Sequence, residues 1–212
     1  GGSITGGAFS SVGNARALMV IRGSWIDEIS GGTFDAPGAT GQQPAVQAYA
    51  DFLTDPTGIG TISGGRFTGG PIIDNGESIG LGISSSNGAG GQVGSITGGV
   101  FQAGIGVEPD INSVVGSITG GTITGAGPLL RSTSYGILNV GTIREIGGYV
   151  VISGASAGVW NYDSRARIET ISGGAISVTA NNIYASASPG IANAGTIDLI
   201  SGGVFRKTDS TL

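Results

Sequence analysis

The sequence predicts an all-β chain folded as a single-stranded parallel β-helix, a β-solenoid of about eight coils with 22 to 34 residues each. Three observations predict it. A nine-residue phrase, Ile/Val-x-x-Ile-Ser/Thr-Gly-Gly-x-Phe/Ile, recurs along the whole chain. The spacing between successive copies varies, running 25, 33, 34, 22, 27, 26 and 29 residues between first glycines. The phrase is built from Ile, Val, Thr and Phe, which suit a pleated, half-buried surface, and not from the Ala, Leu, Glu and Lys of helices. Repetition at a period of tens of residues marks an array whose units bury their apolar faces only against each other. Packed helix pairs tolerate little variation in repeat length, whereas β-coils absorb insertions at their corners because only the strands must stack.

The copies read Ile26–Phe34, Ile59–Phe67, Val93–Phe101, Val115–Ile123, Ile168–Ile176 and Ile197–Phe205, with a shortened form at Ile143–Val150 and a partial first copy at Ser3–Phe9. Within each, alternation sends Ile29 inward and Ser30 outward, and Gly31-Gly32 turns the chain so that Phe34 points inward again. Strands of successive coils then pair in parallel, ~4.8 Å apart. Three columns follow from the alignment: a buried aromatic stack of Phe9, Phe34, Phe67 and Phe101; a hydroxyl column from Thr5 to Ser201; and an asparagine column of Asn139, Asn161 and Asn193, whose amides can bond along the axis. The asparagines belong to a weaker strand between phrases, seen at Gly136–Asn139, Gly158–Asn161 and Gly190–Asn193, with degenerate versions at Gly80–Ile83 and Gly104–Val107. The repeat is unbroken, so residues 1–212 read as one domain with a short polar C-terminal tail, 206–212.

Composition narrows the functions. Glycine makes up 44 of 212 residues, yet 39% of the chain is hydrophobic at a fixed spacing, which separates it from collagen and from flexible low-complexity sequence. There is no cysteine, so the chain carries neither disulfides nor thiol chemistry, and no histidine, so the usual base of a nucleophilic triad is missing. A net charge of −5 with only nine Lys and Arg argues against nucleic acid. No apolar run is long enough for membrane insertion as a helix. No cofactor is expected, and no metal site: the oxygen-rich Asp74-Asn75-Gly76-Glu77 reads as a turn more readily than as a calcium loop.

Three surface features carry candidate functions. Trp160 and Tyr162 fall on outward positions beside Leu138 of the preceding coil, a set that could stack on a sugar ring or anchor a protein. The hydroxyls of Thr61, Ser63, Ser95, Thr97, Ser117 and Thr119 flank inward isoleucines in pairs, resembling the Thr-x-Thr faces of ice-binding β-solenoids, although Glu28, Glu145 and Leu199 interrupt the array. Arg144, Glu169 and Asp198 share one column, which would set Glu169 and Asp198 ~5 Å apart, near the separation of a retaining glycosidase pair. The bland alternative is a solvated surface with a weak Arg144–Glu169 ion pair.

The pattern Gly-Ile-x-Asn-x-Gly-Thr-Ile-x-x-Ile-Ser-Gly-Gly-x-Phe, clearest from Gly190 to Phe205, resembles the passenger domains of bacterial autotransporters and related haemagglutinin-like adhesins. The resemblance implies a right-handed β-helix displayed outside the cell or on the bacterial surface, and a non-enzymatic role in contact with a host or bacterial surface glycan or protein. The alternatives are a fibre subunit self-associating head to tail through uncapped solenoid ends, an ice-binding protein, and a polysaccharide-cleaving enzyme. Because Gly1 lies inside the first phrase, the chain is expected to be either a segment of a longer surface protein or a subunit whose edges a second copy completes.

Overall fold

A computed structural model describes residues 1–13, 15–37, 43–50, 57–69, 78–85, 90–126, 134–180 and 189–209. Three parallel sheets run the length of the described chain, and every strand pairs with its counterpart one coil away. The fold is a parallel β-solenoid. The first face stacks Ser3–Ile4, Trp25–Ile29, Gly58–Ile62, Gln92–Ile96, Val114–Ile118, Thr142–Ile146, Arg167–Ile171 and Thr196–Ile200. The second stacks the eight strands that follow each glycine corner, from Ala8–Ser10 to Val204–Asp209. The third has seven strands: Leu18–Ile21, Gln43–Ala50, Ser78–Ser85, Ile105–Pro109, Tyr135–Asn139, Ala157–Asn161 and Ile191–Asn193. There is no helix among the described residues, and so none long and apolar enough to cross a membrane.

The core is a set of columns. Ile4, Ile29, Ile62, Ile96, Ile118, Ile146, Ile171 and Ile200 follow one another in strict register. Opposite them Phe9, Phe34, Phe67 and Phe101 stack with ring centroids 4.9, 5.1 and 4.5 Å apart and planes within 8° of parallel. The coil repeat sets that geometry, because the strand spacing holds the rings at nearly their own stacking distance. Ile123, Ile152, Ile176 and Phe205 continue the column.

The two glycines of each phrase answer to different constraints. The first lies against the coil before it: a Cβ on Gly64 would sit 2.2 Å from the Ser30 carbonyl oxygen, and one on Gly98 would sit 2.2 Å from that of Ser63. The second takes a positive φ, from 60° at Gly148 to 106° at Gly203, which residues with a side chain rarely adopt. Close approach and corner geometry therefore fix the pair independently.

The sixth corner corrects the sequence alignment. The phrase at Ile143–Val150 looks shortened, with Val150 in the phenylalanine position, but the register places Ile152 in that column. From Ile146 the corner takes one residue more than its neighbours. Gly148 approaches the Thr119 carbonyl as the first glycine does in other coils, Tyr149 projects into solvent, and Val150 is drawn into the core. A second correction concerns the third face. Val107 pairs with Leu81 and Ile137, so Gly106, not Gly104, aligns with Gly80 and Gly136. The segment read as a polar tail from 206 is strand as far as Asp209, paired with the strand ending at Ala180. Asp74–Glu77 lies outside the described residues.

Candidate functional site

The third face is packed on both sides. Leu81, Val107, Ile137 and Val159 enter the main core, while Ile79, Ile105, Tyr135, Ala157 and Leu138 form a separate apolar cluster. The glycines at 106, 136 and 158 make this possible. A Cβ on each would meet the Cγ2 of Ile123, Ile152 or Ile176 across the coil at 2.5 to 2.7 Å, so the backbone there presses against the facing sheet.

Above this second cluster Trp160 packs between two tyrosines, its ring centroid 4.6 Å from Tyr135 and 4.5 Å from Tyr162, the latter edge-on. Tyr162 is 50% exposed. Leu138 pairs with Trp160 in register but is only 7% exposed, so it supports the patch from beneath and is not a contact residue, a correction to its place in the sequence-derived set. The turn after Tyr162 is held by Asp163, whose Oδ1 accepts hydrogen bonds from the Arg165 backbone N–H at 2.8 Å and from its Nε at 2.9 Å, while Oδ2 accepts from Nη2 at 3.2 Å. Those bonds depress the Asp163 carboxyl to about 2, the Arg165 side-chain hydrogen bonds contributing most. The result is an exposed aromatic edge beside a charged fork with fixed orientation. Sequence reasoning found the two aromatics and missed the fork, although Asp-x-Arg directly after Tyr162 was visible.

Under the same turn runs the asparagine ladder. Asn139 Nδ2 donates to Asn161 Oδ1 and Asn161 Nδ2 to Asn193 Oδ1, each at 2.7 Å. Both amides also bond backbone carbonyls of the following first-face strands: Asn139 that of Arg167 at 3.1 Å, Asn161 that of Thr196 at 3.0 Å. Asn139 and Asn161 are fully buried. In earlier coils the same column is Val20, Ala48, Ile83 and then Pro109. Asn139 Oδ1, at the end of the ladder nearest Pro109, has no donor.

The hydroxyls of the array share a register, and those of Thr61, Ser63 and Ser95 are engaged in hydrogen bonds. Thr61, Ser95 and Ser117 align, with Glu28 before them and Glu145 after. Ser95 Oγ donates to Thr61 Oγ1 at 3.2 Å, Ser63 donates to Glu28 Oε1 at 2.6 Å, and Ser172 donates to Glu145 Oε1 at 2.8 Å. Each glutamate thus grips a hydroxyl of the next coil. Thr97 and Thr119 occupy the neighbouring column, Thr97 exposed and Thr119 half-buried.

Arg144, Glu169 and Asp198 share one column as expected, but the ion pairing differs. Asp198 is bound by Arg167, Nη2 lying 2.6 Å and Nε 2.9 Å from Oδ2, and Arg144 forms no ion pair with Glu169. Asp198 lies opposite Glu169 in register, but its Oδ2 is held by Arg167 from the same neighbouring strand. Among the described residues no three Asp, Glu, His or Cys side chains converge as a metal cluster. No family model matches the chain, and no curated protein or solved structure matches it either.

Proposed function

We propose that this chain is an extracellular or cell-surface β-solenoid of adhesin type, non-enzymatic, that holds a glycan against the patch formed by Trp160, Tyr162, Asp163 and Arg165. The observation that carries the reading is the half-exposed Tyr162 ring braced edge-on by Trp160 and flanked by an oriented carboxylate–guanidinium fork. A sugar ring offers an apolar face for stacking and in-plane hydroxyls for hydrogen bonding, and the patch supplies both partners on a rigid support. The engagement of Asp198 by Arg167 favours contact over hydrolysis, and the glutamates tying up Ser63 and Ser172 disfavour an ordered-water, ice-matching face. A glycan array followed by calorimetry on the best ligand tests the reading. Tyr162→Ala should weaken binding at least tenfold with an unchanged circular dichroism spectrum; equal binding by the variant, or a blank array, removes it.

A second reading rests on the last described coil. Leu199, Ile200, Val204 and Phe205 are all exposed there, in columns that are buried elsewhere for Ile200 and Phe205. The first coil of a second copy stacked on this face would place Phe9 over Phe205. Concentration-dependent rods in negative stain would favour self-association; a monomer at all concentrations would oppose it.

A further inference from the structure

Where the third face turns into the first, Asp110, Val140 and Tyr162 stand in one column. The pairing fixes this: Asn139 is in register with Asn161, the Val140 N–H donates to the Pro109 carbonyl at 2.9 Å, and the Tyr162 N–H donates to the Asn139 carbonyl at 2.9 Å. Asp110 and Tyr162 are therefore two coil steps apart, ~9.6 Å along the axis. Val140, between them, is half-buried and packs down on the second apolar cluster, as Trp160 does. The result is a trough one coil wide, with a valine floor, an aromatic wall and an acidic wall.

The acidic wall is held in place. Asp110 Oδ1 accepts the Ile111 N–H at 2.7 Å, and the Asp110 carbonyl accepts the Ser113 N–H at 2.9 Å, closing a turn in which Asn112 has a φ of 63°. Among the described residues Asp110 meets no cation at ion-pair distance. Beyond Tyr162, Asp163 grips the Arg165 guanidinium, and its hydrogen bond and charge, with the charge of Asp110 as a smaller cause, hold Arg165 above the ordinary arginine range. The guanidinium beside the aromatic wall is thus already answered by carboxylates, whereas the Asp110 charge is not answered in return.

We propose that Asp110 selects the ligand of this patch: a glycan bearing a free amino group, whose sugar ring lies over Val140 against Tyr162 and whose ammonium bonds the Asp110 carboxylate. The proposal rests on the reading of the patch as a glycan site and names the sugar class. The aromatic wall and valine floor take the apolar face of the ring, and the ammonium makes a charge-assisted hydrogen bond that a neutral sugar lacks. A sugar carboxylate in the same trough meets Asp110 as a like charge and finds Arg165 already bound. The net charge of −5 also draws cationic ligands toward the chain and repels acidic ones.

Calorimetry on the full chain compares a fully deacetylated chitosan tetramer, kept protonated, with its N-acetylated counterpart and with tetragalacturonate. Wild type should bind the deacetylated tetramer ~10-fold more tightly than the acetylated one, with the preference shrinking as salt is raised, and tetragalacturonate least of the three. Asp110→Asn keeps an acceptor for the Ile111 N–H, so it should erase the preference while leaving binding of the acetylated tetramer unchanged. Equal affinities for the two tetramers, a preference that survives Asp110→Asn, or tighter binding of tetragalacturonate overturns the amine assignment. Tyr162→Ala separates that failure from failure of the glycan site itself: where it weakens two tetramers that wild type binds equally, the site stands and only the choice of sugar falls. Binding of neither tetramer also removes the amine assignment, and the glycan array then decides the patch on its own.

Discussion

Replacing Asn161 with valine isolates what the buried amide ladder contributes. The side chain accepts from Asn139 and donates to Asn193 and to the Thr196 carbonyl. Valine fits the column, since Val20, Ala48 and Ile83 occupy it in earlier coils. The steric term is therefore small and the polar term dominates. Asn139 keeps its bond to the Arg167 carbonyl but loses its acceptor, and the Thr196 carbonyl loses its donor. Leaving buried polar groups unpaired costs ~1–3 kcal/mol each, partly offset by ~1 kcal/mol of added apolar burial, so the expected net loss is about 2–3 kcal/mol. Asn193 is exposed, and Asn193→Val should cost under ~1 kcal/mol because water replaces its partner. The triple Asn139/Asn161/Asn193→Val chain removes both partners of each amide–amide bond, leaving only the Arg167 and Thr196 carbonyls without their side-chain donors, and should be less damaged than the sum of its single variants. Guanidinium denaturation followed by circular dichroism, with hydrogen exchange of the last three coils, measures all of these. Equal losses at Asn161 and Asn193, or a stabilised Asn161→Val, would refute the reasoning.

Three further outcomes follow from the geometry. Gly64→Ala pushes a Cβ into the Ser30 carbonyl and should cost about 3 kcal/mol, whereas Gly6→Ala, with nothing within 4 Å, should stay within ~0.5 kcal/mol; thermal midpoints of the pair check this. Phe67→Ala empties a fully buried place between two stacked rings and should cost ~3–5 kcal/mol in denaturant, with Phe67→Leu costing clearly less. Because the Asp163 carboxyl is depressed, its bonds to Arg165 are complete above the ordinary carboxylate range and are lost as pH falls toward about 2. Carboxyl NMR should show that midpoint, and Arg165→Ala should return it toward ~3.9; an unmoved midpoint would contradict the assigned cause.

Much of the fold was legible because the constraints that build it are local and repeated. Register follows from an isoleucine that must be buried, a glycine that must touch the coil below, and a glycine that must turn the corner, all within five residues. The signal weakened where geometry changed without changing composition. The extra residue at Tyr149–Val150 escaped notice because Gly147-Gly148 preserves the look of the motif, although Gly148 alone serves the corner. The third face was read in register where asparagine marked it and at Gly80–Ile83, and two residues out of register at Gly104–Val107. At Leu18–Ile21 and Gln43–Ala50 an apolar column replaces the amides, and the strand loses its signature. Surface chemistry was least legible. Whether Leu138 is contact or support depends on the second apolar cluster, and the pairing of Asp198 with Arg167 depends on side-chain reach between neighbouring coils.

The absence of cysteine makes a direct test of the central claim, coils stacked in parallel register, straightforward. Glu28, Thr61 and Thr170 share one outward column, Thr170 lying four coils beyond Thr61 and five beyond Glu28. Spin labels on cysteines at 61/170 and 28/170, measured by pulsed dipolar spectroscopy, should give mean separations near ~19 and ~24 Å, rising by ~4.8 Å per coil. Separations that do not grow with the number of intervening coils would contradict the stacked register from which every site described above takes its geometry.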